Sequence, residues 1–447
     1  MAKNVIVIGS GAAGMSAASE ARRNDPQAAV TIITKDVDIA YSPCAIPWVF
    51  EGKTDWNTMV MHDPEFYAKE RDIKVITDTE VTAVDEEKKT VTAGGKDYPY
   101  DSLVIATGST VFIPPIEGKD LKNVFAIKTV KEGKELEAAL KDAKRIVIGG
   151  AGVIGLEAAR AFAEIGKDVT VIEMMDQSIP RIADPDMAAP VQEYLEGKGV
   201  KFVMKAPIQK VNGKDKVESV TAAGKDYPCD IAIFATGVRS NLTIPKMLNL
   251  DIGQLNAVAV APTMQPYRRG RLVRDIYLCG DVVQSQSAVI AGPTMSQLGS
   301  TAVKEGIVAG RNAVGVKAVC GPTASPWVSA IGDMQIGGTG MSMGLASWYG
   351  VTPVAGKASG LTRARYYPGG KPLTVKVLAD PSTHRIIGAQ IVSEEEVTGR
   401  INWLTSVITA GVTAEEFAAT AENAYCPPTN MVRDVVLAAV DDLVKRL

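Results

Sequence analysis

The order of apolar and polar positions along the chain predicts strands that alternate with helices. Short apolar runs at 5–8 and 146–149 each lead into a glycine-rich turn and then into a stretch of small residues with helical spacing. A second apolar strand follows each helix, at 30–33 and at 169–172. Because this alternation is typical of parallel βαβ units, the chain is predicted to be an α/β protein.

The first glycine-rich turn has the spacing G-x-G-x-x-G, formed by Gly9, Gly11 and Gly14. In such a turn the first glycine permits the tight bend, the second lets the backbone approach a pyrophosphate, and the third lets the helix pack on the strand. The helix N-terminus also favours phosphate. Since a strand precedes the turn and a helix follows it, the motif predicts a dinucleotide site.

A second turn repeats the pattern with Gly150, Gly152 and Gly155. The strand after its helix ends at Glu173, where an acidic side chain can accept a hydrogen bond from a ribose 2′-hydroxyl. This acid, and glycine rather than alanine at position 155, favour NADH over NADPH.

The first site lacks an acid at the corresponding position, where the chain has Thr34 followed by Lys35. Both residues are candidate cofactor contacts, and Asp36 is an alternative partner for the ribose. The motif therefore predicts a dinucleotide and leaves the partner of its ribose open.

Three further segments link these motifs. The stretches YDSLVIATGS (100–109) and CDIAIFATGVRSN (229–241) are near-repeats, and RDIYLCGDVV (274–283) is a strand that ends in Gly-Asp. The turns after these strands supply additional candidate cofactor contacts, namely Thr107, Gly108, Gly237, Gly280 and Asp281.

The two glycine turns, the repeated Ala-Thr-Gly segment and the Gly-Asp strand are four motifs whose order resembles that of the FAD- and NAD(P)H-dependent disulfide reductases, from residue 4 to the C-terminus. The resemblance implies that the first motif holds FAD and the second holds NADH, with NADPH less expected. It also implies that Asp281 hydrogen-bonds the flavin ribitol and that Glu157 orders the nicotinamide carboxamide. The expected fold is α/β, with two Rossmann-like dinucleotide-binding domains and a C-terminal α+β dimerisation domain.

The expected domain boundaries follow from the motifs. The FAD-binding domain is predicted at 1–112 and 250–320, the NADH-binding domain at 113–249, and the dimerisation domain of a homodimer at 321–447. The last domain is predicted to contain an antiparallel sheet from 373–380 and 384–392, and helices over 394–411 and 428–447. Thr413 is predicted to cap a short helix between them.

The stretch AYSPCAIPWVF places one cysteine, Cys44, where a loop turns into a predicted helix. The partial positive charge of a helix N-terminus stabilises a thiolate. The chain has neither a C-x-x-x-x-C pair at this position nor a histidine before proline, so it resembles the single-cysteine branch of the family. That branch includes coenzyme A-disulfide reductases, NADH oxidases, NADH peroxidases and NADH:polysulfide reductases.

Two tyrosine segments resemble those of the coenzyme A-disulfide reductases, ARYYPGG at 364–370 and ENAYCPP at 422–428. The resemblance implies that Tyr425, with either Tyr366 or Tyr367, reaches across the dimer and protonates a leaving thiolate at the flavin cysteine. Cys426 replaces the alanine of those reductases, and it either pairs with Cys44 across the dimer, resolves a mixed disulfide there, or is passive.

Basic residues mark candidate anion sites. The resemblance implies that Arg22, with Arg23 beside it, meets the phosphates of coenzyme A, and Ser42 is a further candidate substrate contact. The segment Arg268–Arg274 contains four arginines in what resembles an inserted loop. It is either a solvated hairpin or a surface for an anionic substrate or a protein partner.

Composition narrows the setting of the protein. A net charge of −3 argues against a nucleic-acid partner, and five dispersed cysteines favour a reducing compartment. We expect no membrane span, no signal peptide and no metal site, which fits the cytoplasm.

The expected function is electron transfer from NADH through FAD and Cys44 to a small disulfide. Coenzyme A disulfide and a polysulfide or persulfide are the favoured acceptors, and a mixed disulfide of coenzyme A with Cys44 is one expected resting form. One alternative is an NADH oxidase that reduces oxygen. Ala12 argues against it, because the oxidases and peroxidases of this branch carry a histidine there. The other alternative is an NADH-responsive flavoprotein that acts through a protein partner.

Overall fold

The structure is a computed structural model that describes residues 3–447 of the 447-residue chain. The chain divides into two compact units, which are described separately. The first unit comprises Met1–Val111 and Val238–Thr323, and the second comprises Phe112–Gly237 and Ala324–Leu447.

The strands are β1 (Asn4–Ile8), β2 (Ala29–Ile33), β3 (Ile73–Ile76), β4 (Val81–Asp85), β5 (Thr90–Ala93), β6 (Lys96–Pro99), β7 (Ser102–Ile105), β8 (Ser109–Val111), β9 (Val124–Phe125), β10 (Arg145–Gly149), β11 (Asp168–Ile172), β12 (Lys201–Val203), β13 (Ile208–Gly213), β14 (Val217–Ala222), β15 (Lys225–Pro228), β16 (Ile231–Phe234), β17 (Val238–Ser240), β18 (Tyr267–Arg268), β19 (Arg271–Leu272), β20 (Ile276–Leu278), β21 (Ser285–Gln286), β22 (Pro293–Thr294), β23 (Trp327–Ile331), β24 (Met334–Gly340), β25 (Val354–Leu361), β26 (Pro372–Ala379) and β27 (Ile386–Ser393). The helices are α1 (Ala12–Asn24), α2 (Ile46–Phe50), α3 (Trp56–Met59), α4 (Pro64–Glu70), α5 (Val130–Leu140), α6 (Val153–Glu164), α7 (Pro185–Gly197), α8 (Thr243–Met247), α9 (Gly299–Ala313), α10 (Met343–Trp348), α11 (Thr398–Ala410), α12 (Ala414–Thr420) and α13 (Val435–Val444).

The first unit is built on a parallel five-stranded sheet in the order β20-β7-β1-β2-β3. Its central strands β1 and β7 and the strand β20 are buried on both faces, as is typical of parallel sheets. Helices α1 and α9 lie in backbone contact, because a Cβ at Gly306 or Gly310 would overlap the carbonyl oxygen of Ala13 or Ala17. A short antiparallel sheet, β4-β5-β6, extends this unit.

The second unit contains another parallel five-stranded sheet, in the order β12-β11-β10-β16-β9. Its C-terminal part is an antiparallel sheet in the order β23-β24-β27-β26-β25, against which α13 packs. The two Rossmann-like sheets and the C-terminal antiparallel sheet confirm the predicted fold class.

Two helix predictions were wrong at their N-terminal ends. Helix α11 begins at Thr398 and not at 394, because Glu394 and Glu395 instead bind Lys371 and Arg363. Helix α13 begins at Val435 and not at 428, where the residues before it form a proline-containing loop. The predicted cap at Thr413 is confirmed, since its side chain accepts a hydrogen bond from Glu416 in a capping box.

Within residues 3–447, every helix is too short or too polar to traverse a bilayer.

Candidate functional site

The first glycine turn has the geometry that a bound pyrophosphate requires. Gly9 has a φ of +106°, and a Cβ there would overlap the carbonyl oxygen of Ala106. A Cβ on Gly14 would overlap the oxygen of Gly9, so helix and strand touch at this point. A Cβ on Gly11 would instead project into open space at the N-terminus of α1. The turn therefore leaves a ligand-sized approach to the backbone where a phosphate is expected.

Thr34 has a structural role at this turn. Its side chain is 3 % exposed, and its hydroxyl accepts hydrogen bonds from Ser10 Oγ at 3.1 Å and from the Asp36 backbone N–H at 3.2 Å. Lys35 points to solvent and Asp36 is half-buried. Thr34 thus joins the glycine turn to the end of β2.

The Gly280–Asp281 turn follows β20 at the same end of the sheet. The Asp281 carboxylate accepts a hydrogen bond from Ser109 Oγ at 2.8 Å, and the backbone carbonyl of Asp281 accepts one from Ser240 Oγ at 2.5 Å. Thr107 Oγ1 donates to the Asn241 carbonyl at 3.2 Å. In the first unit the turn is therefore joined to the start of β8 and to the end of β17, which leaves a carboxylate at the carboxyl edge of the sheet where α/β proteins bind ligands.

Behind this turn lies a residue that sequence analysis missed, Glu305 on α9. Its carboxylate is 2 % exposed and accepts hydrogen bonds from the Gly280 backbone N–H at 2.8 Å and from Ser285 Oγ at 2.6 Å. Burial raises the pKa of Glu305 to about 7, with a further contribution from the charge of Asp281. A single acid in a helix gives no signal in the sequence that could have identified it.

The second glycine turn repeats the first. Gly150 has a φ of +107°, a Cβ on Gly155 would overlap the oxygen of Gly150, and a Cβ on Gly152 would meet open space. Glu173 lies at the end of β11, as predicted, and is 5 % exposed. Its two oxygens accept backbone hydrogen bonds from Ala151 and Met175, each at 2.8 Å. Glu173 therefore holds the glycine turn itself, and each of its oxygens keeps a further lone pair that can accept a hydrogen bond.

Glu157 on α6 is held in place by a contact that sequence analysis did not foresee. Its Oε1 accepts a hydrogen bond from Ser329 Oγ of β23 at 2.6 Å, within the second unit. Gly237, after β16, accepts a hydrogen bond from Phe112 at its carbonyl.

Cys44 lies in a 3₁₀ turn, Pro43–Ala45, that continues directly into α2. Cys44 is exposed, while Ile46, the first residue of α2, is fully buried and anchors the start of the helix. Ser42 is the exposed residue before the turn. The predicted position of Cys44 at a loop-to-helix junction is therefore confirmed.

The other cysteines differ from Cys44 in exposure. Cys229 and Cys279 are buried, which raises the pKa of Cys229 to about 12 and that of Cys279 well above its ordinary value. Burial also raises the pKa of the half-buried Cys320. Cys44 and Cys426 are the two exposed thiols. Because the thiolate is the reactive form, exposure favours these two for redox chemistry.

The two tyrosine segments meet in the second unit. The hydroxyl groups of Tyr366 and Tyr425 are hydrogen-bonded to each other within one chain, whereas the contact of Tyr367 in this turn is a backbone bond to Ala364. The two loops are tied together by a bond from the Ala364 N–H to the Pro427 carbonyl at 3.1 Å. Tyr366 is 74 % exposed, and its hydrogen bond raises the pKa of Tyr425. Cys426, the next residue, is also exposed.

Some arginines of the predicted anion sites are already paired with acidic side chains of the same unit. The Arg22 guanidinium is paired with Asp72 and donates to the Ala28 carbonyl, so Asp72 offsets its charge and two of its five N–H donors are already engaged. The arginine segment forms the hairpin β18–β19, in which Arg268 is paired with Glu86. The other three arginines are exposed, at positions 269, 271 and 274. The hairpin precedes β20 and so lies at the amino end of that strand, opposite the Gly280–Asp281 turn.

Within the part of the chain from Lys3 onward, no group of three or more His, Cys, Asp or Glu side chains is arranged to hold a metal ion.

Comparison with known proteins identifies the family. Residues 3–306 match the model of the pyridine nucleotide-disulphide oxidoreductases, and residues 328–432 match the dimerisation domain of the same family. A curated NADH oxidase of Methanocaldococcus jannaschii is 42 % identical over 99 % of both chains. An NAD(P)H coenzyme A polysulfide/persulfide reductase of Pyrococcus horikoshii is 33 % identical over 98 % of both chains.

A solved structure of a NAD-dependent persulfide reductase from A. fulgidus has a TM-score of 0.93 at 32 % identity. The match covers 98 % of this chain and 82 % of that one. Together with the two glycine turns, these matches confirm that the chain uses FAD and a nicotinamide nucleotide. The protein is an enzyme that belongs to the pyridine nucleotide-disulphide oxidoreductase family.

Proposed function

We propose that the protein is an NADH:disulfide oxidoreductase whose acceptor is a small disulfide, namely coenzyme A disulfide or a polysulfide or persulfide. The observation that carries this proposal is the exposed thiol of Cys44 on the first unit, whose other described cysteines are buried or half-buried. Relatives named as coenzyme A-dependent sulfur oxidoreductases and polysulfide/persulfide reductases support the same acceptor class.

When bound, FAD would supply the two-electron chemistry that links the nicotinamide nucleotide to sulfur. In this proposal the Cys44 thiolate attacks one sulfur of the substrate, so that a bond forms to Cys44 and the substrate S–S bond breaks. The first thiol leaves with a proton, and reduction of the mixed disulfide releases the second. The balance is RSSR + NADH + H⁺ → 2 RSH + NAD⁺.

Glycine-turn and acid residues supply the binding sites in this proposal. Thr107, Gly108 and Asp281 contact FAD, as do Gly9, Gly11, Gly14, Thr34, Lys35 and Gly280. Glu173 accepts the ribose hydroxyls of NADH, Glu157 orders its carboxamide, and Gly150, Gly152, Gly155 and Gly237 line its site. An acid at Glu173 disfavours the 2′-phosphate of NADPH by charge.

We also propose that the protein acts as a homodimer and that Tyr425 and Tyr366 supply the proton to the departing thiolate. A phenol whose own oxygen is hydrogen-bonded by a second phenol is held in one orientation, which a general acid needs. Cys426 beside this pair is proposed to exchange with the mixed disulfide on Cys44. Ser42 and Arg22 are proposed to contact the substrate.

The second candidate is an NADH oxidase, because the relative at 42 % identity carries that name. Ala12 at the start of α1 supports the disulfide reductase instead, since the residue has no group that could transfer a proton to peroxide. A role through a protein partner at the arginine hairpin is supported only by three exposed arginines.

Anaerobic stopped-flow spectroscopy of the flavin-loaded enzyme tests the proposal. We expect NADH to reduce the flavin faster than NADPH. The reduced enzyme is then mixed separately with coenzyme A disulfide, polysulfide, glutathione disulfide and oxygen. Fast flavin reoxidation by one of the first two supports the proposal, whereas fast reoxidation by oxygen alone identifies an oxidase.

Replacing either partner of the tyrosine pair is expected to slow disulfide turnover by about a hundredfold, a typical contribution of general acid catalysis. Tyr366→Phe removes one hydroxyl of the pair, while Tyr367→Phe is the matched control on the neighbouring residue. The measurement is kcat for the disulfide against pH. Equal rates for the two variants would remove the tyrosine pair from the mechanism.

A further inference from the structure

Glu305 is a buried carboxylate that takes no part in the proposed reaction. Glu305 is only 2 % exposed in the first unit. Among residues 3–447 it nevertheless forms no salt bridge with a cationic side chain. The neighbouring Lys304 instead donates to the carbonyl oxygens of Gly321 and Pro322, at 2.8 and 2.9 Å. A buried charge without a cation is costly, so the two hydrogen bonds that it accepts must offset that cost.

One of those bonds reaches the cofactor turn directly. Glu305 Oε2 accepts the Gly280 backbone N–H at 2.8 Å, and Gly280 immediately precedes Asp281. Gly280 has a φ of +80°, and a Cβ there would come within 2.9 Å of the Ala13 side chain, so this turn is tightly constrained. The orientation of the Gly280 peptide therefore sets where the Asp281 carboxylate is presented.

Protons can reach Glu305 without opening the fold. The residue lines a cavity of about 350 Å³, together with Ser285, Thr301 and Cys320. Both polar and apolar side chains line this cavity, and the polar ones give water hydrogen-bond partners in it. Burial raises the pKa of Glu305 to about 7, so its charge changes near neutral pH.

Charged and titratable groups lie near Glu305 on the elements that pack against it. Asp281 and the buried Cys279 flank Glu305 at the end of β20, and Lys304 precedes it on α9. Cys320 lies in the loop that follows α9, before Thr323. Asp281 disfavours ionisation of Glu305, while Lys304 and the Ser285 hydroxyl favour it. Helix α1 contacts this part of α9 through Ala13.

We propose that Glu305 is a positioning residue for FAD: its ionised carboxylate holds the Gly280–Asp281 turn, and proton uptake loosens that hold and speeds FAD release. The ionised group is the stronger acceptor, because hydrogen bonds to a charged partner are about twice as strong as neutral ones. Protonated Glu305 keeps both partners, since its O–H can donate to Ser285, but its bond to Gly280 becomes a neutral one.

The test is the rate of FAD release from the holoenzyme, followed as the rise of free-flavin fluorescence after dilution, between pH 5.5 and 8.5. We expect release to be about fivefold faster at pH 6 than at pH 8. Glu305→Gln mimics the protonated group, so its release rate should be independent of pH and equal to the fast rate of the wild type.

A second variant separates Glu305 from other titrating groups. Ser285→Ala removes a bond that favours the ionised form, so the midpoint of the pH dependence should move to higher pH while the dependence remains. If Glu305→Gln releases FAD with the same pH dependence as the wild type, another group titrates and the proposal is wrong. If Ser285→Ala leaves the midpoint unchanged, the proposal is likewise wrong, even where Glu305→Gln fails to fold.

Discussion

Cys44→Ser is expected to lose reduction of the small disulfide by at least about a thousandfold in kcat, because serine cannot form the bond to substrate sulfur. Flavin reduction by NADH should continue, since it precedes the step at Cys44. The exposed position of this side chain means that the substitution removes one sulfur and no buried contact. The loss should therefore be one of chemistry and leave stability within about 0.5 kcal/mol of the wild type.

The measurement is anaerobic flavin reoxidation by the best disulfide acceptor, with the rate of flavin reduction by NADH recorded for the same sample. Cys229→Ala is the matched control, because that thiol is buried and its pKa is raised to about 12. If Cys44→Ser still reduces the disulfide at the wild-type rate, Cys44 is not the nucleophile. Oxygen-driven reoxidation that survives in this variant would support the oxidase instead.

Replacing two glycines of the first turn by alanine is expected to have two different effects. Gly14→Ala should lower the stability of the fold, whereas Gly11→Ala should lower the affinity for FAD. In Gly14→Ala the new methyl group overlaps the Gly9 carbonyl oxygen, so helix α1 must move away from β1. Overpacking of this kind costs about 3 kcal/mol of unfolding free energy. In Gly11→Ala the methyl group meets nothing within 4 Å, and the residue already has an extended backbone with φ −72°.

Gly11→Ala is therefore expected to keep wild-type stability without flavin and to lose FAD affinity by tenfold or more, because its methyl group occupies the approach to the pyrophosphate. Urea unfolding of the flavin-free proteins and titration with FAD separate the two effects. A Gly14→Ala protein that unfolds at the wild-type urea concentration would show that helix and strand can separate there without cost. Unchanged FAD affinity in Gly11→Ala would place the phosphates elsewhere.

Sequence patterns predicted those parts of the molecule that depend on local spacing. The glycine turns, the acid at Glu173 and the junction at Cys44 each combine a residue type with a strand or helix next to it in the chain. The antiparallel C-terminal sheet was predictable for the same reason, since alternating apolar residues mark β26 and a largely apolar run marks β27. Local propensity and burial act in the same direction at these positions.

Interactions between distant residues could not be predicted. The bond of Ser329 to Glu157, the ion pair of Arg22 with Asp72 and the position of Glu305 behind Gly280 each join residues far apart in the chain. The choice of Tyr366 over Tyr367 as the partner of Tyr425 is of the same kind, because both tyrosines fit the motif equally well. Tertiary packing alone decides such contacts.

The two-segment construction of the first unit has a consequence for how the protein is made. The strand β20, which completes its sheet beside β7, lies beyond the whole stretch Phe112–Gly237. At ribosomal speeds of about 5 to 20 residues per second, the nascent N-terminal segment waits on the order of ten seconds or more for that strand. During this interval the edge of β7 is unpaired, and an unpaired edge is open to association with other chains. The Gly280–Asp281 turn therefore forms only late in synthesis, and a chain released before β20 is made would retain an exposed strand edge.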